Sequence, residues 1–106
     1  MNDIAKVGTP GQIKATRSLL KFCREHRHTP YWIKSLEECL AALEEKKSDE
    51  VRGVRERFSR AGMSSYLDWF PEVVFPHEDA DYVEAVWHGL DGYWREMMRP
   101  FESIRR

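Results

Sequence analysis

One segment constrains the whole chain: between Val83 and Phe101 the apolar residues Val83, Val86, Trp87, Leu90, Trp94, Met97 and Phe101 recur at spacings of three and four. At about 100° per residue they fall within one arc of roughly 100° on a helical wheel, so this segment is a long amphipathic helix with a bulky aromatic stripe to bury. Such a stripe needs partners of the same kind, and the rest of the chain supplies them. Thr9-Pro10 reads as an N-cap with proline in the first helical position, followed by Ile13, Thr16, Leu19, Leu20 and Cys23 on one face of a helix ending near His26. Thr29-Pro30 repeats the start signal ahead of Trp32, Ile33, Leu36, Leu40 and Leu43, in a second helix running to about Lys47. Ser48-Asp49-Glu50 provides a cap and first-turn acids for a third, marked by Val51, Val54, Phe58 and Ala61 and stopped at Gly62.

The stretch from Met63 to Pro76 has no sustained period. Ser65 and Asp68 resemble a capping box for one helical turn through Phe70, Pro71 forbids continuation, and Glu72 to Phe75 reads as an extended, packed connection rather than a strand, since no second strand exists to pair with it. Asp79 or Asp81 caps the last helix. Asp91-Gly92 is a turn signal within that helix, but the apolar phase passes unbroken across Gly89 and Gly92, which predicts continuity up to Pro100. The expected fold is therefore all-α: a single domain over residues 1–106, an antiparallel bundle of about four helices, with a short aromatic turn and extended connection before the last.

Size and composition narrow the function classes. With 106 residues and 33% charged, the chain suits one globular domain and is too apolar for disorder. No apolar run approaches the roughly 18 residues of a membrane span, and the opening MNDIAKVGTPGQ lacks the apolar stretch of a secretory leader, so a cytoplasmic protein without membrane association is expected. Cys23 and Cys39 lie inside helical patterns and read as reduced.

No motif of nucleophilic, phosphate-binding or dinucleotide chemistry is present. Cys23, His26, His28 and Cys39 are potential zinc donors, but the cysteines lie far apart on different helices, and two histidines near a helix end are favoured by the dipole alone; no metal or other cofactor is expected. His77, Glu78, Asp79 and Asp81 contain enough groups for acid–base work, yet acids just ahead of an apolar helix are what a helix N-terminus selects. An enzyme is not expected. It would require a concave pocket taking in at least two of His77, Glu78, Asp79, Asp81 and His88.

Charge is unevenly distributed. Residues 1–60 hold 13 Lys+Arg and 9 Asp+Glu, a balance of +4, whereas residues 61–106 hold 4 and 9, a balance of −5. Between Arg60 and Arg95 there is no lysine or arginine, while acids and aromatic rings are interleaved. This pattern suits a basic protein partner, with acids steering the encounter and rings acting as desolvated anchors, and it repels nucleic acid. The basic stripe Lys14, Arg17, Lys21 and Arg24 reads as a solvated face or as one paired with acids of a neighbouring helix. On the last helix, Ala85, Gly89 and Gly92 fall together opposite the apolar arc, flanked by Tyr82 and Tyr93. That smooth face allows close approach of a partner backbone or of a second copy.

The segment Ala61-Gly62-Met63-Ser64-Ser65-Tyr66-Leu67-Asp68, following a helix with Trp32 and Leu36 and a charged turn at 44–49, resembles the glycine-methionine-glycine-serine-aromatic-polar-Asp hallmark of a family of small all-helical bacterial proteins. Gly62, Met63, Ser65, Tyr66 and Asp68 match, whereas Ser64 stands in place of the second glycine and Leu67 in place of a polar residue. The resemblance spans about residues 29–76. Its relatives look like immunity proteins of bacterial toxin systems, and what it implies is a non-enzymatic antitoxin, a monomer or weak homodimer, that neutralises a cognate toxin protein. Joined to the charge pattern, it gives as candidate contacts Tyr66, Asp68, Trp69, Glu78, Asp79, Asp81, Tyr82, Glu84 and Asp91. The alternative is a regulatory or adaptor module that recruits another protein or self-associates.

Overall fold

The computed structural model describes residues 6–58 and 64–102. Helices α1 (Pro10–Glu25), α2 (Pro30–Glu44), α3 (Ser48–Arg57), the single turn α4 (Ser64–Leu67) and α5 (Ala80–Met97) follow in order, closed by a 3₁₀ turn at Arg99–Phe101. The chain is an all-α bundle. Contacts between facing helices run in opposite senses: Arg17 meets Glu44 and Arg24 meets Glu37 between α1 and α2, while Thr16 meets Trp94 and Phe22 meets Trp87 between α1 and α5. Both pairs are antiparallel, and α1 is the shared central element. Among the described residues no helix is long and apolar enough to cross a membrane.

Local chemistry explains most of the boundaries. Thr9 caps α1 in a reciprocal box, its hydroxyl accepting from the Gln12 N–H at 3.2 Å while the Gln12 side chain accepts from the Thr9 N–H. Asp79 caps α5, Oδ1 accepting from the Tyr82 N–H at 2.8 Å. Four boundaries differ from expectation. Helix α2 stops at Glu44 because Lys46 turns left-handed (φ 59°), letting the Lys47 N–H reach back to the Ala42 carbonyl, and Lys47 rather than Ser48 becomes the cap position of α3. Helix α3 ends at Arg57, with Phe58 turned into the core as its cap residue; Ala61 and Gly62 lie outside the described residues. The turn α4 also ends early, at Leu67, so Asp68 to Phe70 are not helical.

Helix α5 is continuous through Gly89 and Gly92, and both glycines face open space. The core it covers is aromatic: Trp87, Trp94, Tyr66, Phe58 and Phe101 are completely or almost completely buried, with Leu19, Leu36 and Leu43 around them. Trp94 Nε1–H donates to Thr16 Oγ1 at 3.1 Å, and that hydroxyl donates to the Gln12 carbonyl, so the indole and the hydroxyl that enter this core are both paired. Cys23 and Cys39 are free and buried, and burial pushes both thiols up to about 12, which leaves them inert as nucleophiles.

Candidate functional site

The connection from α4 to α5 and the first turns of α5 carry the candidate contact residues, and two histidines at the end of α1 hold that connection in place. Arg27 adopts φ 65°, the left-handed geometry that closes α1, and the residues on either side of it, His26 and His28, are thereby both turned inward. The Thr29 N–H donates to His28 Nδ1 at 2.7 Å, which leaves Nε2–H to donate to the Tyr66 carbonyl at 3.1 Å. The ring lies between Tyr66 and Trp69, with centroids 5.2 and 4.2 Å away, and its burial lowers its proton affinity, so it sits there neutral.

His26 secures the other end. Its Nδ1 lies 3.0 Å from the Phe22 carbonyl oxygen and its Nε2 lies 2.9 Å from Glu78 Oε2. Glu78 Oε1 in turn accepts from the Val74 and Phe75 N–H groups at 2.9 and 3.0 Å. The two side chains are only 1% and 4% exposed. Burial by itself would raise the Glu78 carboxyl, but the two backbone donors and His26 together outweigh it and hold the group at about 2.

This arrangement divides the candidate contacts. Tyr66 is wholly buried and its hydroxyl donates to Asp91 Oδ1 at 2.8 Å, while Asp91 Oδ2 accepts from Arg95 Nε at 2.9 Å. Burial raises the Tyr66 phenol well above its ordinary value. Tyr66, Glu78 and Asp91 therefore act inside the molecule, as a core ring, a loop clasp and a buttress, rather than at its surface. Trp69 is half-buried, edge-on to Trp87 at 5.0 Å. Asp68, Asp79, Asp81, Tyr82 and Glu84 are exposed, as is Glu72 between them in sequence. Among the described residues no lysine or arginine pairs with any of these acids; Glu84 approaches only His88, at 3.8 Å.

The basic stripe behaves otherwise. Arg17 and Arg24 pair across to Glu44 and Glu37 at 3.1 and 2.7 Å, and Lys21 pairs with Glu25 at 2.7 Å. The groove of about 560 Å³ between α1 and α2 is thus rimmed by charges of both signs.

A second groove, of about 360 Å³, lies against the clasp and takes in His26, His77, Glu78 and Tyr82. It contains two of the five residues an acid–base site would draw on, but Glu78 already accepts three hydrogen bonds, and His77 lies against Phe75 and Tyr82 with centroids 6.0 and 5.7 Å away. Asp79, Asp81 and His88 do not line it. Among the described residues no group of three or more His, Cys, Asp or Glu is placed to hold a metal ion.

Sequence reasoning missed two things here. Phe70, Val73, Val74 and Leu67 are exposed, although apolar residues ahead of an amphipathic helix ordinarily read as core. The paired roles of His26 and His28 were also invisible, because the partners lie 52 and 38 residues away. The usable signal was two histidines in a four-residue helix-to-helix connection that lacks glycine. Searches against family models, curated proteins and solved structures gave no match to this chain.

Proposed function

We propose that this protein is a non-catalytic binding protein of the immunity type, which captures a toxin protein of basic surface through the exposed acids and rings between Asp68 and Glu84. The observation that carries this reading is the set of exposed carboxylates, Asp68, Glu72, Asp79, Asp81 and Glu84, with no lysine or arginine of the described chain paired to them. Unpaired like charges on one stretch add little to the stability of the domain, but they accelerate encounter with a cationic surface. Tyr82, about half exposed beside them, is an anchor of the amphipathic kind that binding surfaces favour. The chemistry of Glu78 favours binding over catalysis, since its oxygens are committed to the fold.

The test pairs this protein with the purified product of the gene beside its own. Binding whose association rate falls steeply with salt, and falls again in D81K/E84K, supports the reading; a neighbouring protein that is harmless to cells and does not bind removes it. Asp79 is left out of that variant because it caps α5, and its loss costs about 1 kcal/mol of helix stability regardless of binding. A second reading, self-association through the smooth outer face of α5, draws on the open space over Gly89 and Gly92. A sharp monomer in sizing chromatography at high concentration disposes of it.

A further inference from the structure

Resting on the binding function proposed above, we infer that the energetic anchor of the interface is an apolar ridge, Leu67, Phe70, Val73 and Val74, which inserts into a partner's apolar cleft rimmed by lysine or arginine. These four side chains stand within eight residues and each is more than two-fifths exposed, Phe70 at 75%. Single exposed apolar residues are ordinary; four together on one connection are a patch that marks an interaction site.

Two features separate the ridge from a loosely packed loop. Its ends are tied: His28 holds the Tyr66 carbonyl on one side, and on the other Glu78 grips the Val74 and Phe75 N–H groups while itself held by His26. Between them Trp69 is seated against His28 and Trp87. Phe70 and Val73 are therefore displayed from a preorganised backbone, which lowers the ordering cost on binding. The flanking charge identifies the occupant. Asp68 and Glu72 are the charged side chains interleaved with the ridge, and the chain carries no lysine or arginine from 61 to 94. A second copy meeting ridge to ridge would oppose these acids to themselves, and an anionic lipid surface would be repelled, whereas a cleft edged with cations satisfies both the rings and the acids.

The experiment measures binding of the neighbouring gene's purified product to wild type, F70S/V74S, D68K/E72K and D81K/E84K by calorimetry and stopped flow. All six substituted side chains are exposed, and an unchanged far-UV spectrum and unfolding midpoint confirm that each variant is folded. The expected result is a loss of affinity on the order of tenfold to a hundredfold in F70S/V74S, chiefly through faster dissociation. D68K/E72K should lose both association rate and affinity, and D81K/E84K mainly association rate. Equal affinity of wild type and F70S/V74S overturns the ridge while leaving the binding function standing. No binding to wild type overturns both. Co-sedimentation with phosphatidylcholine vesicles, or concentration-dependent self-association, that disappears in F70S/V74S assigns the ridge to lipid or to a second copy and overturns the cationic-cleft assignment.

Discussion

The α1–α2 face and the Asp68–Glu84 region are built from similar numbers of charged residues and do opposite things with them. On the first, Arg17 and Arg24 meet acids of α2 across the antiparallel pair and Lys21 meets Glu25 one turn along α1, so all three are neutralised at 2.7–3.1 Å. In the second, the buried carboxylate Glu78 is fully engaged, and the exposed ones, with Phe70, Val73 and Val74 among them, stand without lysine or arginine partners among the described residues. A surface that closes its own ion pairs has little to offer a charged partner. One that leaves acids unpaired and apolar side chains in water gains little stability from either feature and keeps both available to a partner.

Substitutions ranked by size break or sharpen this contrast. The largest effect should come from Trp87→Ala, which empties the contact between α5, Phe22 and Trp69 and costs about 3–5 kcal/mol. Urea unfolding monitored by circular dichroism measures it, and a loss below about 1 kcal/mol would mean that the connection and α5 are not sharing one core.

Acid should next separate the two histidine ties. The lowered proton affinity of His28 means that the unfolded chain takes up its proton first, so the stability from this group is present above the ordinary imidazole value of 6.5 and is lost as pH falls below it. Glu78, held at about 2, contributes stability that is complete above 4.5 and is lost as pH falls from there toward 2. Urea midpoints between pH 7 and 3 should therefore decline in two stages, with the second flattened in E78Q. Hydrogen exchange at Val74 and Phe75 should speed up in the same variant, while amides of α2 keep their protection. Equal acceleration in both places would show that the clasp is not local.

Gly89→Ala and Gly92→Ala should each raise stability by about 1 kcal/mol, because both sites are helical, exposed and sterically open. If either variant also weakens partner binding, the smooth face of α5 belongs to the interface. The smallest effect is expected from Arg17→Ala, an exposed pair contributing on the order of 0.2–1 kcal/mol that diminishes in high salt. A larger loss would mean that the α1–α2 face is more than a solvated seam.

Periodicity revealed the helices well where a stripe was long and a cap was chemically distinct. The course of α5 across Gly89 and Gly92 follows from the unbroken phase of Val83 to Met97, and the starts of α1 and α2 follow from Thr-Pro. It erred at α2 and α3, where left-handed Lys46 and inward-turned Phe58 ended helices without glycine or proline. The candidate site was legible only in part. Charge counting located the acids, but it could not distinguish Asp81, which is in water, from Glu78, which is buried against His26.

By itself, the order of residues determined that the chain forms amphipathic helices, that they bury an aromatic core, and that negative charge gathers in the second half. These are sums over neighbours a few positions apart, and a helix has a fixed period. Only the tertiary structure decided which acids are committed and which remain free, that His26 and His28 pin the two ends of one connection, and that Phe70 faces water. Each of those outcomes depends on what side chains from distant parts of the chain meet on packing, and a local pattern holds no record of those encounters.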